Sequence, residues 1–230
     1  RAGHLQDCIT VDQNMLERTE VVFGPSSTMY GSDALGGTIH YYSKRPMLGT
    51  DSAMNTNANA MVRYSSANNE MTGHIDLNFG GAKWASLTSV TRSDFGDLRM
   101  GANANPAYGN YDWCREYIVR ENGKDSIYQN ENSLVQKFSG YMQIDVTQKI
   151  LYKPSENVSH LLNFQYSTSS DVPRYDRLQQ RSGGNLRFAE WYYGPQNRLL
   201  ASYTLTLNKQ SKLYDRATVI GAFQKIDQDR

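Results

Sequence analysis

Residues 20–46 read EVVFGPSSTMYGSDALGGTIHYYSKRP, two β-prone runs separated by glycine and proline turn points. Val21, Val22 and Phe23 form a short apolar run suited to a strand. Gly24-Pro25 ends it, because proline donates no backbone hydrogen bond and glycine tolerates a reversal. Tyr30-Gly31 marks a second reversal. Gly36-Gly37 opens another strand over Thr38 to Ser43, where paired glycines permit a bulge or a close backbone approach, and Lys44-Arg45-Pro46 stops it. Upstream, Asp12 or Asn14 is placed to cap a single helical turn ahead of Glu17. The glycines are not a phosphate loop, since no Gly-Lys-Ser/Thr accompanies them. Ser26-Ser27 likewise lacks the Gly-x-Ser-x-Gly frame of a nucleophile elbow.

Downstream of a polar connection at Asp51 to Asn55 the chain begins to alternate. Ala58, Ala60, Val62 and Tyr64 share one face against Asn57, Asn59 and Arg63, with Met61 out of pattern. Met71, Gly73, Ile75, Leu77 and Phe79 then oppose Thr72, His74, Asp76 and Asn78. Further strands are predicted over Trp84 to Arg92, over Phe138 to Thr147 with a slip at Gln148 as at a bulge, and over Leu162 to Ser167. Leu199 to Asn208 and a run from Leu213 bring the predicted strands to about seven. Short turns at Gly80, Pro154 and Asn208 contrast with two long segments, Ser93 to Val135 and Ser170 to Gln196, both read as loops. Outer-membrane barrels show this asymmetry of short periplasmic turns and long external loops.

Composition agrees with a β-rich chain: 16 tyrosines and 18 glycines accompany the polar turns in 230 residues. A formal net charge of +1 offers no electrostatic attraction for nucleic acid. No run approaches the ~20 apolar residues of a membrane helix, which says nothing against strands that cross with alternating polarity. Cys8 and Cys114 have no metal-site spacing and are read as incidental, a link between the N-terminal stretch and the first long loop being the alternative. His74 beside Asp76 reads as a satisfied polar pair, and His160 as a residue at lipid headgroup level. With no nucleophile grouped near them, and no spacing for a haem ligand at His4 or His40, no catalytic residue, metal site or cofactor is assigned. The chain is not read as an enzyme.

The stretch 20–46 resembles the end of the plug domain of TonB-dependent outer-membrane receptors. Glu20, Gly24, Pro25, Tyr30, Gly31, Ala34, Gly36, Gly37, Ile39 and Lys44 match the family's Glu-Val-Val-Arg-Gly-Pro, Tyr-Gly, Ala-x-Gly-Gly-x-Ile-Asn and Thr-Lys pattern. Phe23 stands where the family usually has Arg or Lys, and His40 where it has Asn. Without that charge, Phe23 is expected to pack against the plug sheet or the wall. The resemblance implies residues 1–50 as the end of a mixed α+β plug and residues 51–230 as the first strands of a transmembrane antiparallel β-barrel of about 22 strands. The signal peptide, the TonB-contacting segment and most of the plug are then expected upstream of Arg1.

As the resemblance implies, the function is TonB-driven uptake of a scarce solute across the bacterial outer membrane. Family frequency places a ferric siderophore or other iron chelate first, then haem or cobalamin. Ser32-Asp33-Ala34 lacks the Arg of the glycan-importing subclass. Partners are TonB, outer-membrane lipid and lipopolysaccharide, and the small-molecule ligand. Ligand contacts are expected on the long loops, from Arg99, Tyr111 and Trp113 on the first and Arg174, Tyr175, Arg177 and Trp191 on the second. Arginine gives forked anion recognition and aromatics give stacking. Loop-to-loop packing is the competing reading of the same residues. A different class, a soluble β-sandwich that binds carbohydrate through loop aromatics, would also fit the alternation.

Overall fold

A computed structural model describes residues 11–25, 27–32, 34–103, 114–208 and 214–228. A 3-10 turn, Gln13–Met15, is capped by Asp12, whose side chain accepts from the backbone N–H of Asn14 at 2.9 Å. Strands β1 (Leu16–Phe23) and β2 (Gly37–Ser43) then form an antiparallel hairpin, with a one-turn helix α1 (Ser27–Tyr30) in its connection. β3 (Asn55–Ser65), β4 (Glu70–Gly80) and β5 (Trp84–Phe95) follow as a meander. The first long segment carries β6 (Leu98–Arg99), β7 (Glu116–Glu121), β8 (Lys124–Gln129) and β9 (Val135–Gln136). The chain returns in β10 (Tyr141–Ser155) and β11 (Val158–Ser169). The second long segment holds β12 (Val172–Pro173), α2 (Tyr175–Leu178), β13 (Arg181–Ser182), β14 (Asn185–Leu186) and β15 (Tyr192–Tyr193). β16 (Gln196–Asn208) and β17 (Arg216–Gln228) end the chain.

Seven long strands form one antiparallel sheet in the order β17-β16-β11-β10-β5-β4-β3, so neighbours in sequence are neighbours in space. Its two faces are inverted relative to a soluble protein. Along β4 the buried residues are Glu70, Thr72, His74, Asp76 and Asn78, while Met71 is 53% exposed, Ile75 46% and Phe79 42%. The same holds across the sheet: Asp145, Thr147 and Lys149 of β10 are buried, and Phe164 and Tyr166 of β11 are both 45% exposed. A β-sandwich buries its apolar face against a second sheet, and among the described residues nothing covers this one. The architecture is that of an outer-membrane barrel wall, an open sheet with β17 and β3 at its edges among the described residues. Carbohydrate binding by a sandwich is set aside with it.

Several sequence expectations need correcting. No bulge falls at Gln148, because β10 keeps register with both β5 and β11 through that position and shifts only between Tyr152 and Ser155. Gln148 instead occupies an outward site and satisfies its amide across the strand: Thr88 donates to its Oε1 at 2.6 Å and its Nε2 donates to Ser86 Oγ at 2.9 Å. A polar group facing hydrocarbon needs such partners. Phe138 belongs to no strand, having φ 62°. The segment read as loop between residues 93 and 135 contains the β7-β8 hairpin. Its turn is Asn122-Gly123, with φ 49° and 77°, the pairing that a tight hairpin turn favours. β17 begins at Arg216; Leu213, where the last strand is predicted to begin, lies outside the described residues. Phe23, expected to pack against the plug sheet or the wall, is instead 88% exposed among the described residues, where it ends β1 opposite Gly37.

The hairpin glycines meet different demands. Gly24 and Gly31 adopt φ 98° and 97°, which disfavour any side chain, and Gly24 N–H bonds Gly36 O at 3.1 Å to close the hairpin end. At Gly37 a Cβ would sit 2.5 Å from Val22 O, the close backbone approach anticipated there. Gly36 has open space around it. Glu20 pairs with Arg18 at 2.7 Å, Pro25 is exposed, and the Tyr30 ring meets His40 edge-on at 4.5 Å.

Candidate functional site

The polar face of the wall carries the β1-β2 hairpin and its flanks, held at two levels. At the first, Thr91 of β5 donates to Asp12 at 2.6 Å, and His74 of β4 lies 2.6 Å from the same Thr91 hydroxyl and 3.0 Å from Asp76. The predicted His74 and Asp76 pair is present. At the second, Lys44 Nζ donates to Asp76 at 2.7 Å, with Asn59 donating to the other carboxylate oxygen at 2.9 Å. Lys149 Nζ donates to Ser43 Oγ at 2.7 Å and to Lys44 O at 2.6 Å. Beyond them Met47 and Asn78 exchange hydrogen bonds of 2.8 and 3.0 Å. Polar residues alternate along each strand because this face binds an inner segment, whose backbone and charges they satisfy.

At the opposite end of the sheet from the short turns the two long segments meet. Arg174 is 7% exposed: its guanidinium donates to both oxygens of Asp176 at 2.8 and 2.6 Å and to Tyr193 OH at 2.9 Å, which leaves it to shape the loop rather than to face a ligand. Tyr175 OH bonds Cys114 Sγ across the two segments. Arg181 reaches Glu116 at 3.0 Å, and Ile118, Leu186 and Ala189 form a small shared core. Arg177 and Trp191 stay at the surface, the guanidinium 5.5 Å from the ring centroid. Trp191 also lines a cleft of about 230 Å³ with Ile118, Arg120, Phe138, Pro173 and Tyr192. Arg99 stands apart, in β6, its backbone N–H bonding Ala67 O at 2.7 Å. Tyr111 and Trp113 lie outside the described residues, as do Cys8 and His4. Of the predicted loop residues, the structure thus gathers Arg174, Tyr175, Arg177 and Trp191 and gives them unlike roles.

The pairing with Arg174 holds the Asp176 carboxyl below its usual range, and bonds from Gln129 and then Arg181 do the same for Glu116. A lowered carboxyl supports the loops above its unfolded pKa and loses that support as pH falls through the folded one. Acidification below the ordinary carboxylate range is therefore expected to lower the exchange protection of residues 174–193, relative to the intrinsic rate at the same pH, before the wall strands respond. Uniform protection of both regions at acid pH would show the pair to be unimportant.

His160 occupies the outward face near the short-turn end, its Nδ1 2.7 Å from Tyr203 OH and its ring stacked between Tyr152 and Tyr203 at 6.0 and 6.1 Å. That is an interfacial aromatic cluster of the kind flanking an apolar barrel band. Sequence reading missed Asp12, Lys44 and Lys149 as anchors. Lys149 was hidden by the apparent slip at Gln148, and strict continuation of the alternation would have placed it inward.

Neither a family model nor a curated protein matches the chain. Among solved structures it is similar to the copper transporter OprC, with a TM-score of 0.61 and 12% identity over 94% of this chain. The chain spans 26% of the length of that transporter. At this identity the likeness is one of fold, and it agrees with the open wall and the inward polar face.

Proposed function

We propose that the chain is part of a TonB-dependent receptor of the bacterial outer membrane, which takes up a scarce solute using energy delivered through TonB. One observation carries this reading: the sheet is apolar outside and polar inside, and the polar side is bonded to the hairpin with the 20–46 pattern. In it, residues 1–50 are the end of the plug and 51–230 the first strands of the wall. Lipid and lipopolysaccharide cover the outer face, and the chain performs transport without chemistry of its own.

The ligand is read as an iron chelate such as a ferric siderophore, with haem or cobalamin as the alternative. Arg177 and Trp191 supply an exposed cation beside an aromatic face, which suits an anionic, ring-bearing molecule. Copper belongs to the neighbour and is not carried over; among the described residues no three His, Cys, Asp or Glu side chains gather to hold a metal ion. The test is growth of cells lacking the complete gene when a ferric siderophore, haem or cobalamin is the sole source of the nutrient. Arg177→Ala in the complete protein is expected to weaken ligand affinity by about tenfold, the scale of one charge-assisted contact, with heat-modifiable barrel migration intact. Arg174→Ala is expected to lose affinity through the loop, with faster exchange over residues 174–193. Affinity unchanged in Arg177→Ala removes this residue from the site.

A further inference from the structure

A cavity of about 520 Å³ opens between the hairpin and the wall, lined by three cations, Arg18, Arg45 and Lys149, and by one carboxylate, Glu17. The cations differ in what already occupies them. Arg18 is committed, its Nε donating to Glu20 at 2.7 Å and its guanidinium stacked 3.9 Å from the Tyr42 ring centroid. Lys149 is buried and donates to Ser43 Oγ at 2.7 Å, Lys44 O at 2.6 Å and Ser43 O at 3.3 Å. Those acceptors are all neutral; Glu17, the carboxylate lining the same cavity, acts on its charge only through space, against the repulsion of Arg45. Arg45 is exposed and, among the described residues, makes no hydrogen bond or ion pair. Ser202 and Thr204, inward-facing positions of β16, line the same space.

Two cations facing one cavity repel, and an anion placed between them removes that repulsion while gaining attraction to both. Arginine adds a planar fork matched to carboxylate or phosphate, and hydroxyls complete the coordination of an oxyanion. We infer that this cavity is an oxyanion site, taking the carboxylate or phosphate group of a small solute. Arg45 is its donor fork, Lys149 supplies a fixed positive field, and Ser202 and Thr204 are its hydroxyl donors. The role as a station for cargo rests on the receptor reading; the site itself rests on the charge arrangement alone.

The experiment uses the complete protein. Crystals soaked in tungstate are expected to show an anomalous peak within hydrogen-bond reach of Arg45 in this cavity, lost in Arg45→Gln. In cells, Arg45→Gln is expected to lower uptake of an anionic solute at least fivefold while surface binding of that solute keeps its affinity. A wild-type cavity with no peak, or one filled by a carboxylate of the protein's own chain, overturns the site. So does a peak that Arg45→Gln leaves undiminished, or one that inorganic phosphate in solution cannot displace, an adventitious ion only. A peak lost in Arg45→Gln with uptake unchanged overturns the cargo role. A wild-type protein that binds tungstate here and imports nothing retains the site and sinks the receptor reading instead.

Discussion

Phe164→Arg is expected to prevent the protein from assembling in the outer membrane, whereas Asn163→Arg, one residue away, is expected to assemble normally. The two positions lie side by side near the middle of β11 and face opposite ways. Phe164 pairs with Gln148 and Ala201 on the outer face and is 45% exposed, while Asn163 faces inward and bonds Ser202 at 3.2 Å. A cation on the lipid side near mid-membrane costs about 2–4 kcal/mol, and truncation of the aromatic contact adds to that. On the inner side an arginine meets a polar, partly open cavity, where water screens its repulsion from Lys149 on the neighbouring strand. A soluble protein would reverse the ranking or show none, since either face could then meet water. The measurement is the fraction of each variant in outer-membrane preparations that shows heat-modifiable migration. Equal assembly of both variants would contradict a membrane-facing apolar surface.

This face assignment was legible in the sequence only in part. Strict alternation at Met71 to Phe79 against Thr72 to Asn78 fixes two faces but not which is outward, because a soluble sheet carries the same period. The structure decides it by placing an inner segment against Thr91, Asp76 and Lys149. Contacts separated by 79, 32 and 106 residues leave no local trace in the chain. Gln148 misled for the same reason, since Ser86 and Thr88, which make an outward amide tolerable, come from another strand. The β7-β8 hairpin, by contrast, was announced locally by Asn122-Gly123. Arg174 and Arg177 read alike in sequence and differ in the fold, because the turn of α2 directs one guanidinium onto Asp176 and Tyr193 and leaves the other beside Trp191. Composition names candidates for a ligand surface but cannot separate the residues that build it from those that present it.

Lys44→Met is expected to loosen the hairpin from the wall without disturbing the wall itself. Asp76 keeps only 3% of its side chain exposed; Lys44, 33% exposed, is the cation in direct contact with it, and the His74 ring adds a hydrogen bond. Methionine retains the aliphatic stem and removes the charge, so the Asp76 carboxylate is left buried with Asn59 and His74 as its remaining bonds. Breaking a buried pair from one side costs about 3 kcal/mol at the lower end of its range, and Lys44's partial exposure argues for that end. Such a loss corresponds to roughly a hundredfold faster exchange of amides that open with the hairpin. The expected result in the complete protein is therefore accelerated exchange in residues 16–43 with unchanged protection in β4 and β5. The double variant Lys44→Met with Asp76→Asn is expected to recover much of the protection, because it no longer buries an unpaired charge. Lys149 still holds Ser43 in both variants and limits the opening to a partial one. If the single variant exchanges at the wild-type rate, Lys44 and Asp76 do not anchor the segment. If the double variant is no better than the single, the lost contact rather than the stranded charge sets the cost.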